Sequence, residues 1–337
     1  MHVSELGEFG LIDRLSRRLA RYSDDVLVGV GDDVAVVRIT DARYLLATCD
    51  VQVEGVHFLL NLSTPHQIGR KVAAVNLSDI AAMGGIPRHF LISLLLPKDT
   101  DVAFVDGLYD GLAEACQLYQ VDIIGGNIAR AEHIAIDISL LGDVAPDRLI
   151  LRSGAKPGDQ VVVTGQLGDS AAGLRLLVDS SLSLPNEQRE ALVRSHLLPI
   201  PRLKEAAVIA DLRTATAMID LSDGLSSDIG HICEQSGVGV RLWENRLPIS
   251  KSAQEVAAQT QTPAWQLALA GGEDYELCLT VAANAVESLM QQVTQITGTP
   301  MSVVGEILLI EQGRQLMLSN GQEVTLEPSG WEHFRNG

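Results

Sequence analysis

The chain has 337 residues, 46% hydrophobic and 20% charged, with 30 glycines. That composition excludes a disordered chain, and the length suits one large or two medium domains with a sizeable core. A formal net charge of -18 and a pI of about 4.7 leave no basic stripe, which excludes nucleic-acid binding by phosphate neutralisation but admits anionic substrates bridged by divalent metals.

The opening MHVSELGEFGLIDRL lacks the apolar core of a signal peptide. Glu8 to Arg21 has helical periodicity, with Phe9, Ile12, Leu15 and Leu19 on one side. Strand-like runs follow at 26–30, 34–39 and 44–49. A helix is predicted from Pro65 to Met83, stopped by Gly84, Gly85 and then Pro87. FLISLLL (90–96) is far too short to cross a membrane and reads as a buried strand. A helix through 102–119 and strands at 121–126 and around 133–141 come next. The stretch APDRLILRSGAKPGD (145–159) carries Pro, Gly and charge, and the boundary between domains 1–148 and 149–337 is placed there. VVVTG (161–165) opens a second α/β unit, with helices around 169–179, 187–197 and 202–211 and the strand TATAMID (214–220). Gly237 reads as the stop of the next helix, after which helix and strand alternate to about residue 318. No fixed-period repeat is present. Strands alternating with helices mean α/β or α+β, and several early strands without intervening helices predict mixed sheets. Cys49, Cys116, Cys233 and Cys278 have no C-x-x-C or zinc spacing and read as reduced core cysteines of a cytosolic protein.

Carboxylates recur at strand ends and helix starts. MIDLSDGLSSDIGHIC (218–233) holds Asp220, Asp223 and Asp228 with no Lys or Arg. Taken singly, they read as a strand end, an N-cap at Asp223 and a water-facing Asp228. The pattern repeats, however, at Asp32 and Asp33 between two apolar strands, at Asp50 on a strand end, and at Asn76 and Asp79 on one face of an apolar helix. Carboxylates that converge without cationic partners need compensation, and hard divalent cations with oxygen ligands provide it. No G-x-x-x-x-G-K-[ST] loop or protein-kinase set occurs, and GVGDDV puts acid where a dinucleotide loop would hold a pyrophosphate. Handling of nucleotide phosphates would therefore take a metal-rich route.

Ordered motifs run along nearly the whole chain: GEFGLI (7–12), GDD (31–33), VEGVHF (53–58), AVNLSDIAAMG (74–84), GGNIAR (125–130), RSGAKPGD (152–159), IDLSDGLSSDIGHI (219–232), GGEDYEL (271–277) and GWEHF (330–334). Through them the sequence resembles the thiamine-monophosphate kinases, of the superfamily that includes aminoimidazole ribonucleotide synthetase and selenophosphate synthetase. The resemblance implies a two-domain synthetase-like fold whose N-terminal domain forms a β-barrel across a homodimer. It implies a cytoplasmic enzyme that transfers phosphate from ATP to thiamine monophosphate, with several magnesium ions and often potassium.

By the same resemblance, Asp33, Thr48, Cys49, Asp50, Asp79, Asn127, Asp220 and Asp223 align with metal ligands. Gly126, Asn127, Arg152 and Ser222 align with ATP contacts, and His57, Glu273 and Trp331 with thiamine-phosphate contacts. Asn127 stands where the family commonly has aspartate, and Cys49 where Thr or Ser is usual; Asn offers an oxygen without charge. No side chain is expected to act as a general base, because the attacking phosphate oxygen is already anionic. The competing readings are another ATP-dependent member of the superfamily with a different small acceptor, and a non-catalytic nucleotide- or metal-binding homologue.

Overall fold

The computed structural model describes residues 2–18, 22–330 and 333–334. Helix α1 (Val3–Ser16) is broken at Gly7, whose φ is 71°. The expected apolar face does not enter a core: Phe9, Ile12 and Leu15 stay substantially exposed, and Leu19 and Arg21 lie outside the described residues.

The first sheet contains β1 (Val26–Val28), β2 (Ala35–Thr40), β3 (Arg43–Val53), β4 (Ile86–Leu96), β5 (Asp122–Arg130) and β6 (Ala135–Val144), in the order β1-β2-β3-β6-β4-β5. β4 and β5 run parallel and the other pairs antiparallel, so the sheet is mixed as expected. Helices α2 (Pro65–Ala82) and α3 (Val102–Tyr119) cover one face. Leu46, Ile92, Leu94, Ile136, Ile138 and Leu140 point into that core. On the other face Val51 and Leu91 are exposed among the described residues, and along the edge strand β5 Ile124 and Ile128 are exposed too. The run 90–96 is thus buried only at alternate positions, because a strand sends successive side chains to opposite faces. Its strand also begins earlier than expected. Pro87 sits inside β4 at a register irregularity, where a missing N–H is tolerated.

α2 is buried along most of its length. Its first turn is held by a capping box between Thr64 and Gln67, with Pro65 at the first helical position. It crosses α3 backbone to backbone. A Cβ on Gly69 would lie 2.1 Å from the Leu108 carbonyl oxygen, and one on Gly111 2.1 Å from that of His66. No other residue fits at either position without moving the helices apart.

The second part contains β7 (Asp159–Thr164), α4 (Asp169–Val178), α5 (Asn186–Leu197), α6 (Leu203–Leu212), β8 (Ala215–Asp220), α7 (Leu225–Ser236), β9 (Gly239–Trp243), α8 (Lys251–Gln259), α9 (Ala264–Ala270), β10 (Leu277–Ala282), α10 (Val286–Thr297), β11 (Met301–Leu308), β12 (Arg314–Met317) and β13 (Glu323–Thr325). Its sheet has the order β13-β12-β9-β11-β7-β10-β8, with β12 and β9 parallel and the other pairs antiparallel. Both faces are covered. Val161, Val163 and Ile219 pack with Leu225 and Ile229 of α7, while Val162 and Met218 pack with Ile209 of α6 and Leu289 of α10. That explains the unbroken apolar run in β7. Ala81 and Ala82 of α2 join the second of these cores, so α2 lies at the seam of a two-domain mixed α/β fold.

The acidic turn after β8 differs from expectation. Gly224, at φ 117°, takes the N-cap position of α7, not Asp223. Asp228 does not face water: it is 2% exposed, and its carboxylate accepts from the Gly224 N–H at 3.0 Å. Gly237 ends α7 in the left-handed conformation, as read. Cys233 and Cys278 are core residues, whereas Cys49 is exposed.

Candidate active site

Four chain segments bring carboxylates to the seam. Asp33 comes from the β1–β2 connection, Asp50 from β3, Asp79 from the last turn of α2 and Asp220 from the C-terminal end of β8. One oxygen from each of Asp33, Asp79 and Asp220 lies within 4.8 Å of the others. Asp50 lies beside Asp79, and its charge raises the Asp79 carboxyl further. The Thr48 hydroxyl donates to Asp79 Oδ2 at 2.7 Å, and the Ser78 hydroxyl to Asp220 Oδ2 at 2.6 Å.

Burial pushes all four carboxyls up, and their mutual repulsion adds to the shift for Asp50, Asp79 and Asp220. Asp220 reaches about 7, and Asp79 stands well above the ordinary range. The cluster is not without a cation, as the sequence alone suggested. An Arg152 guanidinium nitrogen donates to Asp33 Oδ1 at 2.5 Å, and the Arg152 backbone N–H donates to Asp32 at 3.3 Å. One cation does not match this charge. Asp33 Oδ2 is buried with no hydrogen-bond partner among the described residues. A buried, unpartnered carboxylate oxygen among convergent oxygens fits a hard divalent cation.

Asp223 and Ser222 line a cleft of about 900 Å³ together with Asp32, Thr48, Cys49 and Arg152. The period-2 alternation of β3 separates Cys49 from its neighbours: Thr48 reaches Asp79, whereas the Cys49 thiol donates to Asp137 Oδ1 of β6 at 3.2 Å. Asn127 pairs across β4 with Ser93, which in turn pairs with Asp137. Gly126 and Asn127 therefore sit on the edge strand, separated from β3 by β4 and β6, about 14 Å at the usual strand spacing. Within one chain they do not join the acidic cluster.

The remaining expected residues converge elsewhere along the seam. Glu273, at φ 57°, donates its N–H to the Ser222 carbonyl at 2.7 Å, and Tyr275 does the same to Leu221 at 2.8 Å. The GGEDYEL loop thus runs alongside the acidic turn. Glu273 Oε1 lies 2.7 Å from Lys71 Nζ of α2, and Oε2 lies 3.3 Å from His196 Nδ1 of α5. Burial would raise the Glu273 carboxyl, but Lys71 and then His196 outweigh it and hold it low. His57 follows β3. Its Nδ1 accepts from the Val53 N–H at 3.0 Å, so in the neutral ring the proton is on Nε2, 3.3 Å from His333 Nε2. Burial and then His333 lower its pKa. Trp331 lies outside the described residues.

Sequence reasoning missed Lys71, Ser78 and His196. Lys71 had a signal: it is the last cation before a long apolar stretch of α2. Ser78 and His196 had none, because their partners are distant in sequence.

The chain matches the family models for AIR synthase related protein, the N-terminal domain over residues 31–144 and the C-terminal domain over 156–308. It is 37% identical to the thiamine-monophosphate kinase of Aquifex aeolicus (strain VF5), covering 99% of this chain and all of that one. It is 38% identical to that of Escherichia coli (strain K12), covering 97% and 98%. The solved structure of AaThiL complexed with AMPPCP and TMP superposes with a TM-score of 0.85 at 36% identity, covering 99% of each chain. The thiamine-monophosphate kinase of Stenotrophomonas maltophilia K279a gives 0.75 at 33%, covering 94% and 98%. With full-length matches at this identity and an acidic seam built from the motifs that run through the sequence, the chain belongs to the thiamine-monophosphate kinase family.

Proposed function

We propose that the chain transfers the γ-phosphoryl group of ATP to thiamine monophosphate, giving thiamine diphosphate and ADP. The observation that carries this reading is the Asp33–Asp79–Asp220 cluster with its unpartnered buried oxygen, together with the ion pair that Lys71, on the same helix as Asp79, makes with Glu273. Asp33, Asp50, Asp79, Asp220 and Asp223 would hold magnesium, with Thr48 and Ser78 orienting their carboxylates. When bound, magnesium neutralises charge on the phosphates of both substrates. The acceptor oxygen is anionic near pH 7, so no side chain has to remove a proton, and the protein's task is alignment. Arg152 and Ser222 would contact the nucleotide phosphates in the cleft. Glu273 would accept hydrogen bonds from the aminopyrimidine, and His57 Nε2–H would donate to the acceptor. Trp331 would cover the heterocycle.

Gly126, Asn127 and Cys49 fit the same scheme in a homodimer, whose barrel would close over that other face of the first sheet. Exposed Val51, Leu91 and Ile128 support that pairing. A division into domains 1–148 and 149–337 is supported by each sheet having a core of its own. A cytoplasmic location fits the finding that among the described residues no helix is long and apolar enough to cross a membrane. Several magnesium ions and a potassium requirement are the expected ionic conditions. The test is ADP release with thiamine monophosphate, thiamine and aminoimidazole-type acceptors, each with Mg²⁺ and with chelator. Turnover confined to thiamine monophosphate plus Mg²⁺ is expected; equal turnover without acceptor, or none with it, overturns the reading.

A further inference from the structure

We infer that Lys71 and His196 are positioning residues that fix the Glu273 carboxylate as a planar acceptor for the amino edge of a cationic heteroaromatic substrate. This rests on Glu273 being an acceptor-binding residue, as proposed above. Lys71 is 5% exposed and His196 is 7% exposed. A buried lysine carries a large desolvation cost unless it is paired, and Lys71 pairs with Glu273 at 2.7 Å. Each carboxylate oxygen is held by a different element: Oε1 by α2 of the first domain, Oε2 by α5 of the second. The Ser170 hydroxyl of α4 also lies 3.1 Å from the same Nδ1. Burial, and then Lys71, push the His196 pKa down to about 4, so a neutral ring faces Glu273, and a single Nδ1–H would be shared between Ser170 Oγ and Glu273 Oε2.

The geometry has a chemical use. An ionised carboxylate has about four lone-pair sites. Lys71 lies against one oxygen and His196 against the other, which sets the plane of the group. The sites left over can accept only from N–H or O–H donors, which suits an exocyclic amine. The left-handed backbone at Glu273 brings the residue there, and the bond from its N–H to Ser222 ties the loop to the nucleotide side. A purely structural ion pair across the seam would need neither the second donor nor the strained backbone.

The experiment measures kcat, KM for each substrate and the thermal midpoint for Glu273→Gln, Lys71→Met, Lys71→Arg, His196→Ala and His196→Asn. Expected for Lys71→Met is a KM for thiamine monophosphate raised about tenfold or more, with KM for ATP within about twofold. Lys71→Arg should recover most of the loss, since it restores the charge. His196→Ala should raise the same KM several-fold, and His196→Asn should restore it, because the Asn amide can occupy the Nδ1 position. If Lys71→Met does not fold, the His196 pair still decides the matter. Should Glu273→Gln leave the KM for thiamine monophosphate unchanged, the substrate-contact reading itself fails. If Glu273→Gln raises that KM but the Lys71 and His196 variants do not, the positioning role is wrong. Equal changes in both KM values with no rescue by Arg or Asn would make the trio a structural bridge only, and that too overturns the inference.

Discussion

Replacing Asp220 with Asn should stabilise the metal-free protein while abolishing its activity. The Asp220 carboxyl stands at about 7 in the folded chain against an ordinary 3.8, because of burial and then the Asp33 charge. A carboxyl raised in this way holds a proton that the unfolded chain has already released. Its contribution to stability is intact below about pH 3.8 and is lost as pH rises through about 7. At about 1.4 kcal/mol per unit, the cost of ionising it in the fold has a ceiling of about 4 kcal/mol at pH 8. Asp33 and Asp79 share the same proton balance, so removing one carboxylate relieves part of this, and a gain of about 1–2 kcal/mol is expected. Asn keeps an oxygen for the Ser78 hydroxyl, so that hydrogen bond need not be lost. The assay is urea unfolding in chelator at pH 5 and pH 8, repeated with Mg²⁺. The gain should be larger at pH 8 than at pH 5, and Mg²⁺ should stabilise the parent but not the variant. A variant less stable than the parent at pH 8 in chelator, or a gain independent of pH, would refute the reasoning.

Ser78→Ala should have the opposite effect in the same assay, lowering stability by about 1–3 kcal/mol, because Asp220 loses its buried donor. Asn127→Asp should keep activity and tighten apparent Mg²⁺ affinity, measured by titrating initial rate; a weakened affinity would argue that Asn127 serves as an amide donor. Ile128→Asp, placed on a residue 69% exposed on the edge strand, should shift sedimentation toward the monomer and reduce turnover together. A dimer that survives this change would place the interface elsewhere.

Much of the site was legible because an apolar sequence makes a lone acid conspicuous, but only Asp220 ends its strand as expected: Asp50 lies inside β3 and Asp79 in the last turn of α2. Helix α3 was equally plain, since period and length agreed, whereas β3 runs on to Val53, past the expected end at residue 49. The failures have physical causes. A continuous apolar run such as 90–96 reads as buried on both faces, and the sequence carries no mark that Leu91, on one face of β4, is exposed. Asp223 obeyed the preference for an N-cap, but Gly224 could take the required backbone angles and left the carboxylate for the cleft. Arg152 lies about 120 residues from the acids it meets, so the cluster looked uncompensated until the fold brought them together. The divergence of Thr48 and Cys49 to opposite sides of β3 is a consequence of strand pleating that a motif comparison does not express.

α2 has a further consequence, which is metric. Lys71 near its start anchors the group proposed to read the heterocycle, and Asp79 at its end belongs to the acidic cluster. At 1.5 Å per residue these are about 12 Å apart along the axis. The glycine crossing with α3 prevents the helix from sliding or turning. With the proposed roles of Glu273 and Asp79, α2 would act as a ruler: an acceptor would be measured by whether its phosphate reaches the acidic end while its amino edge is held at the other. A molecule with the right ring and no phosphate, or the right phosphate on a shorter body, would satisfy one end only.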